Sequence, residues 1–256
     1  GLELKWGNTA AIMQLLDQMI ARRGLGDILA DGVKLASARI GRGSEKFAVH
    51  SGGQEPAMHD SRNDPGFGLH YAVEPTPGRH TIGSILYYEM YQLWHKLEGV
   101  PRPSPRFYPK SRKYLPSQEN AEMAAANSKF KMVIDGTGLC LFGAFIGVQR
   151  LPIFEWINAA TGWNKTPAEY METGRKIQTL RQSFNAKHAV PLLHKMNDRM
   201  VGKPPLKSGA NRGWSVPLEE LVPRYWAAMG WDEKTGRPFE QDNRIMDHRF
   251  GSCSGG

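Results

Sequence analysis

Helical segments with recognisable starts recur along this chain and constrain its fold more than any other feature. Asn8, Ser117 and Thr166 can each cap a helix, and apolar residues at helical spacing follow all three. The helix after Ser117 is predicted to end at Val133. Further helices are predicted at 27–40, 81–97, 153–157 and 218–229. With one short strand expected at 47–50, the sequence predicts a mainly α fold with little or no sheet.

Composition and charge exclude several classes of protein. The 33 Lys and Arg against 25 Asp and Glu give a net charge of +8, but the basic residues are scattered, which argues against nucleic-acid binding. The proline-rich basic loop at 99–117 is interpreted as a surface excursion, with a dock for an acidic electron carrier as the alternative. No transmembrane helix or signal peptide is expected. Because Cys140 and Cys253 are too few for a disulfide framework, we expect a cytoplasmic protein.

The segment 51–80 is rich in glycine and proline, which argues against long regular elements within it. It carries five polar side chains that could act in a site, namely His59, Asp60, Arg62, His70 and His80. Its aromatic and aliphatic residues indicate packed order, so it is either the wall of an active site or a connector between domains. Asp60 and Arg62 are expected to form a structural pair.

The six residues Asp135-Gly136-Thr137-Gly138-Leu139-Cys140 combine a carboxylate, two glycines and a thiol, followed by an apolar run at 141–146. This composition is typical of a tight turn that presents one hydrogen-bond acceptor and one soft metal ligand. The alternative is a glycine-rich turn with a buried, inert cysteine. The residues alone leave both interpretations open.

Five segments, in the same order, resemble the tungsten-containing aldehyde:ferredoxin oxidoreductase family, whose members hold a tungsten bis-pterin and a 4Fe-4S cluster. Asp135-x-x-Gly138-Leu139-Cys140 looks like the second pterin motif of that family, and residues 1–7 look like the end of the first. The other three segments are Thr161-Gly162-Trp163 with Thr166-Pro167, Arg175-Lys176-Ile177 with Phe184-Asn185, and Gly230 to Pro238. The resemblance covers residues 1 to about 238 and identifies the chain as the carboxy-terminal part of such an enzyme.

The resemblance implies roles for individual residues. Those that would bind a pterin are Asp135, Gly136, Gly138, Leu139, Gly1 and Leu2. Cys140 would be the fourth ligand of the 4Fe-4S cluster. His80 corresponds to a histidine beside the metal and is expected to be the catalytic base, with His59 as the next candidate. A helix starting directly after His80 would disfavour its imidazolium form.

The resemblance also implies the domain organisation and the reaction. Residues 1–50 would end the middle helical domain of the family, and residues 51–256 would form its carboxy-terminal helical domain, with loops that face the cofactor. The complete enzyme would interconvert a small-molecule aldehyde and a carboxylic acid and pass electrons through the cluster to ferredoxin or another electron-transfer protein. The metal would be tungsten or molybdenum. Assembly as a homo-oligomer is left open.

Two departures from the family pattern qualify this expectation. A 4Fe-4S cluster needs four thiolates, so three cysteines would have to come from a missing amino-terminal part or a companion chain. His59 also replaces a tyrosine of the commonest family pattern, in Pro56-Ala57-Met58-His59-Asp60. Relatives with a similar His-Asp segment reduce aromatic acyl-CoA thioesters, which makes that reaction the first alternative. A helical electron-transfer or scaffold subunit without catalytic activity is the second.

Overall fold

The computed structural model describes residues 2–103, 110–145 and 152–239, and it confirms a mainly α fold. Within these ranges the helices are α1 Thr9–Ile20, α2 Leu25–Leu29, α3 Gly32–Ile40, α4 Pro65–Val73, α5 Ile85–Tyr91, α6 Lys110–Lys113, α7 Gln118–Gly136, α8 Leu141–Phe145, α9 Ile153–Thr161, α10 Pro167–Lys187 and α11 Leu218–Met229. Short 3-10 turns lie at Ser44–Phe47 and Leu93–His95. In the same ranges β structure is limited to isolated bridges, such as the one between Ser51 and Gln54.

The predicted caps are present at the starts of the helices that carry them. The Asn8 side chain accepts a hydrogen bond from the Ala11 backbone N–H at 3.2 Å, and the Ser117 hydroxyl accepts one from Asn120 at 3.1 Å. Thr166 begins α10 with a reciprocal capping box to Glu169. Local sequence signals therefore suffice to locate these three helix starts.

The predictions for residues 27–50 were wrong in two places. The helix expected over 27–40 is divided into α2 and α3, because Gly32 adopts a φ of +81° that interrupts the helix. The strand expected at 47–50 does not form, and the 3-10 turn at Ser44–Phe47 occupies its start. A strand needs a neighbour to pair with, and the isolated bridge at Ser51 is too short to provide one.

The hydrophobic core consists of two clusters, and α7 contributes to both. Phe130 of α7 packs edge-on against Tyr91 of α5, with ring centroids 4.9 Å apart, in the first cluster. Ala124 of α7 belongs to the second cluster, with Trp226 and Trp231 from α11 and the residues after it. Because α10 and α11 also pack against α7, this helix is the central element of the fold.

The segment 51–80 contains the helix α4, which the glycine and proline content did not predict. All nine residues of α4 are buried, so the helix lacks the polar face that helical periodicity requires. Asp64 caps it by accepting the Gly66 N–H at 2.8 Å. The same carboxylate accepts the N–H groups of Ile85 at 3.1 Å and Leu86 at 2.8 Å, at the start of α5. One buried side chain thus fixes two helix starts.

The helix predicted over 81–97 is shorter at both ends, because α5 starts only at Ile85 and stops at Tyr91, where Gln92 with a φ of +47° ends it before the 3-10 turn. The hydroxyl of Ser84 accepts the Tyr87 N–H at 2.9 Å and caps α5. Gly83, just before it, lies against the His70 ring, and a Cβ there would be 2.0 Å from Cε1 of that ring. This packing leaves no room for a side chain at Gly83, and the Ser84 cap directly after it sets the start of α5. No helix in the described ranges is long and apolar enough to cross a bilayer.

Candidate functional site

The candidate site begins at the carboxy-terminal end of α7. The sequence predicted that this helix ends at Val133, but Asp135 and Gly136 are its last two residues. The chain leaves the helix through a Schellman motif, in which the N–H groups of Gly138 and Leu139 donate to the carbonyls of Asp135 and Ile134 at 3.2 and 3.1 Å. Gly138 has a φ of +74°, whereas the helical Gly136 requires no special conformation. Only Gly138 is therefore needed for the backbone turn itself.

The Asp135 carboxylate lies between two cations that sequence reasoning did not select. Lys131, one helical turn earlier and buried, donates to Oδ1, and a guanidinium nitrogen of Arg79 lies 3.5 Å from Oδ2. The carboxyl end of a helix disfavours an anion, and these cations offset that effect. The Asp135 side chain remains 35% exposed. Its oxygens can accept further hydrogen bonds, which fits a ligand rich in N–H donors such as a pterin.

Arg79, whose guanidinium contacts Asp135, is followed in the chain by one of the two predicted catalytic histidines. The next residue, His80, stacks on His59, with ring centroids 4.4 Å apart and an interplanar angle of 13°. Burial, His59 and Arg79 together lower the pKa of His80. His80 is therefore expected to be neutral near pH 7 and able to accept a proton. The predicted cause was wrong, since α5 begins only at Ile85 and its amino terminus does not directly follow His80.

Cys140 lies just before α8, and it is exposed. The interpretation as a buried, inert cysteine is therefore wrong. Backbone N–H groups of Gly143 and Phe142 donate to the sulfur and, with a contribution from the Lys131 charge, lower the pKa of Cys140. A thiolate-favouring, accessible sulfur is what an iron–sulfur cluster requires of its ligands. Within the described residues, no group of three or more His, Cys, Asp or Glu side chains converges on a metal position.

The remaining candidate residues are Gly1, Cys253, Leu2, Leu139, the glycines of the turn, Asp60 and Arg62. Gly1 and Cys253 lie outside the described residues. Leu2 precedes α1, and its role toward a pterin stays a prediction, as do the roles of Leu139 and the glycines. Asp60 and Arg62 form the expected structural pair, with two Arg62 nitrogens 2.9 Å from the carboxylate oxygens.

Two fully buried titratable residues lie outside the candidate site and are hydrogen-bonded to other parts of the fold. His70 bonds to the Gly66 carbonyl at 2.8 Å and to the Ser128 hydroxyl at 2.6 Å, and burial lowers its pKa to about 4. Glu74 accepts from Arg181 and, at 2.7 Å, from Gln178. Sequence reasoning missed Glu74 because its partners lie more than a hundred residues away. Lys131 could have been found from its i,i+4 spacing to Asp135.

Comparisons with known proteins agree with the resemblance found in the sequence. The family model described as aldehyde ferredoxin oxidoreductase, domains 2 and 3, matches residues 1–244. A tungsten-containing aldehyde ferredoxin oxidoreductase from Pyrococcus abyssi is 29% identical over 93% of this chain and 36% of its own length. The WOR-like subunit of an aliphatic sulfonate oxidoreductase from Pyrococcus furiosus is 26% identical over 94% of this chain and 35% of its own.

A solved structure shares the fold. The BamBC active-site complex of benzoyl-coenzyme A reductase with 1,5-dienoyl-CoA aligns with 96% of this chain and 40% of its own, with a TM-score of 0.57 and 19% identity. The chain spans about 36% of the length of the Pyrococcus abyssi relative.

Proposed function

Since this chain belongs to the aldehyde ferredoxin oxidoreductase family, we propose that it is the carboxy-terminal part of a tungsten-pterin enzyme that interconverts an aldehyde and a carboxylic acid. The observation that carries the proposal is the contact between Arg79 and Asp135 at 3.5 Å. This contact supports the proposal because it joins the residue before His80, which stacks on His59, to the helix end that would hold the pterin, more than fifty residues later in the chain.

The proposed roles follow from the chemistry of each side chain. Oxidation of an aldehyde to its acid adds the oxygen of water and releases two electrons and two protons. A tungsten-pterin group, when bound, supplies the two-electron chemistry. The neutral His80 accepts a proton as the carbonyl carbon gains oxygen, and His59 holds the ring by stacking. Asp135 accepts hydrogen bonds from the pterin.

The electron path is also part of the proposal. Cys140 contributes one ligand to a 4Fe-4S cluster, and the other three come from an upstream part of the protein or from a companion chain. The thiolate-favouring surroundings of Cys140 support this assignment. Electrons leave the cluster singly for ferredoxin or another electron-transfer protein.

The proposal is tested by changing His80→Asn in the complete enzyme. Loss of a general base should lower turnover by about a hundredfold or more, with tungsten and iron content unchanged. His188→Asn is the matched control, because His188 is an exposed histidine at the end of α10. A variant with full turnover and an unchanged pH profile would remove His80 from the mechanism and leave His59 as the next candidate.

Reduction of an aromatic acyl-CoA thioester is the second candidate function. Its support is that His59, in place of the tyrosine of the commonest family pattern, stacks on a second imidazole. Adding two electrons to an aromatic ring consumes two protons, and two adjacent imidazoles can relay them from water to the ring. Assays of the complete enzyme with benzaldehyde as the reductant, and with benzoyl-CoA plus a low-potential donor, distinguish the two reactions.

A further inference from the structure

A cavity of about 670 Å³ opens between the segment 56–62 and the loop 199–207, with His59 in its wall. This volume lies within the range of about 300–1,000 Å³ that holds a small organic ligand. Its floor is firmly packed, since Tyr71 and Met200 are 1% and 7% exposed. The Tyr71 hydroxyl donates to the His59 carbonyl at 3.0 Å. The cavity therefore reaches one member of the histidine stack and is fixed to it through the backbone.

The wall of this cavity is mainly apolar, but its charges are unequal. Among the lining residues that the structure describes, Asp60 is the only carboxylate, and Arg62 neutralises it through the bidentate pair. Arg199 and Lys207 remain, both exposed and both on the loop side. Neither forms an ion pair with any carboxylate in the part of the chain that the structure describes. These two residues, of which the Arg199 guanidinium also lies 6.0 Å from the centre of the Phe47 ring, thus place positive charge without a carboxylate partner at the edge of an apolar space whose wall includes His59.

We propose that this cavity binds an organic anion with an apolar body, whose negative group faces Arg199 and Lys207 and whose other end faces His59. The apolar wall stabilises the body of the ligand by removing it from water. The two cations attract the negative group and disfavour a cationic analogue of the same shape. The inference rests on the proposed function for the identity of the reacting group, which would be an aldehyde or its acid.

The charge preference can be tested without turnover. Terephthalate and the neutral terephthalamide have nearly the same shape, and their binding to the complete enzyme is measured by isothermal titration calorimetry. Terephthalate should bind more tightly, and the double variant Arg199→Gln/Lys207→Gln should weaken its binding by about tenfold while leaving terephthalamide unchanged. The difference between the two ligands should also shrink as salt is added.

Lys203→Gln is the matched control, because Lys203 lies on the same loop but pairs with Glu219 at 3.1 Å and does not line this cavity. Terephthalate should bind to this variant as it does to the unchanged enzyme. An equal loss in the control would reduce the effect to net charge and overturn the proposal. Equal binding of the two ligands, or no binding of terephthalate, would overturn it as well.

A parallel turnover assay separates this inference from the proposed function. If terephthalate binding depends on Arg199 and Lys207 but 4-carboxybenzaldehyde is not oxidised, the anion site stands and aldehyde oxidation is wrong. If benzaldehyde is oxidised but terephthalate binding does not depend on the two cations, aldehyde oxidation stands and the anion site is wrong.

Discussion

Gly174 lies where α10 crosses α7, and replacing it by alanine should separate the two helices. A Cβ on Gly174 would be 2.0 Å from the Lys129 carbonyl oxygen and 2.8 Å from its carbon. Ordinary contact begins near 3.4 Å, so α10 would have to move by about 1.4 Å in a close-packed interior. Lys129 presents backbone atoms, which cannot rotate away as a side chain can. We expect the free energy of unfolding to fall by about 3 kcal/mol or more, the upper end of overpacking costs.

Gly136→Ala in α7 is the matched control. Its new Cβ would meet only the terminal methyl carbon of Ile177, at 3.4 Å. A helical glycine changed to alanine gains up to about 1 kcal/mol, and both changes restrict the unfolded chain equally. Urea denaturation followed by far-ultraviolet circular dichroism should therefore separate Gly136→Ala and Gly174→Ala by about 3–4 kcal/mol. Free energies of unfolding that agree within about 0.5 kcal/mol between the two variants would refute the close helix contact.

Three further changes test the buried and exposed polar groups. The pKa of His70 is about 4 in the fold and about 6.5 in the unfolded chain, so His70 is neutral in the fold. Acidification from pH 6.5 to 4 should therefore lower the free energy of unfolding by about 3 kcal/mol. His70→Gln should remove this pH dependence, as measured by denaturation at each pH. Asp64→Asn places an NH₂ group next to backbone N–H donors at two helix starts and should lower the free energy of unfolding by about 2–3 kcal/mol. Asp198→Asn is the control, because Asp198 is exposed, and it should lower this free energy by less than about 0.5 kcal/mol. In the complete enzyme, Cys140→Ser should lose the cluster or shift its reduction potential, measured by electron paramagnetic resonance, whereas Cys253→Ser should do neither.

Local signals predicted the parts of the fold that local interactions determine. The helices that begin after Asn8 and Thr166 were predicted because their caps and their first apolar residues lie within one turn of each other. The helix α4 and the late start of α5 were missed because Asp64 joins them through contacts about twenty residues apart. A fully buried helix also shows no amphipathic pattern. Long-range contacts, which the sequence does not display, decided both features.

The same distinction applies to the candidate site. His59, His80, Asp135 and Cys140 were selected from motifs and from the resemblance to a family. The contact of Arg79 with Asp135, which relates the residue before His80 to the end of α7, spans more than fifty residues and carries no sequence signal of its own. The candidate residues and Lys131, which lies one helical turn before Asp135, could thus be named from the sequence, whereas the cation Arg79 could not.

Lys131 acts electrostatically on both Asp135 and Cys140, the two proposed ligand residues on either side of the Schellman turn. It donates to the Asp135 carboxylate, and its charge also helps to lower the pKa of Cys140. The end of α7 disfavours the carboxylate, while the N–H groups at the start of α8 favour the thiolate. The buried Lys131 cation therefore favours the charged form of the carboxylate and the thiolate form of Cys140 together. Gly138 makes this arrangement compact, because its left-handed conformation ends one helix just before the next begins. The turn therefore presents a carboxylate and a thiol within six residues, which is the arrangement that the proposed pterin and cluster ligands would need.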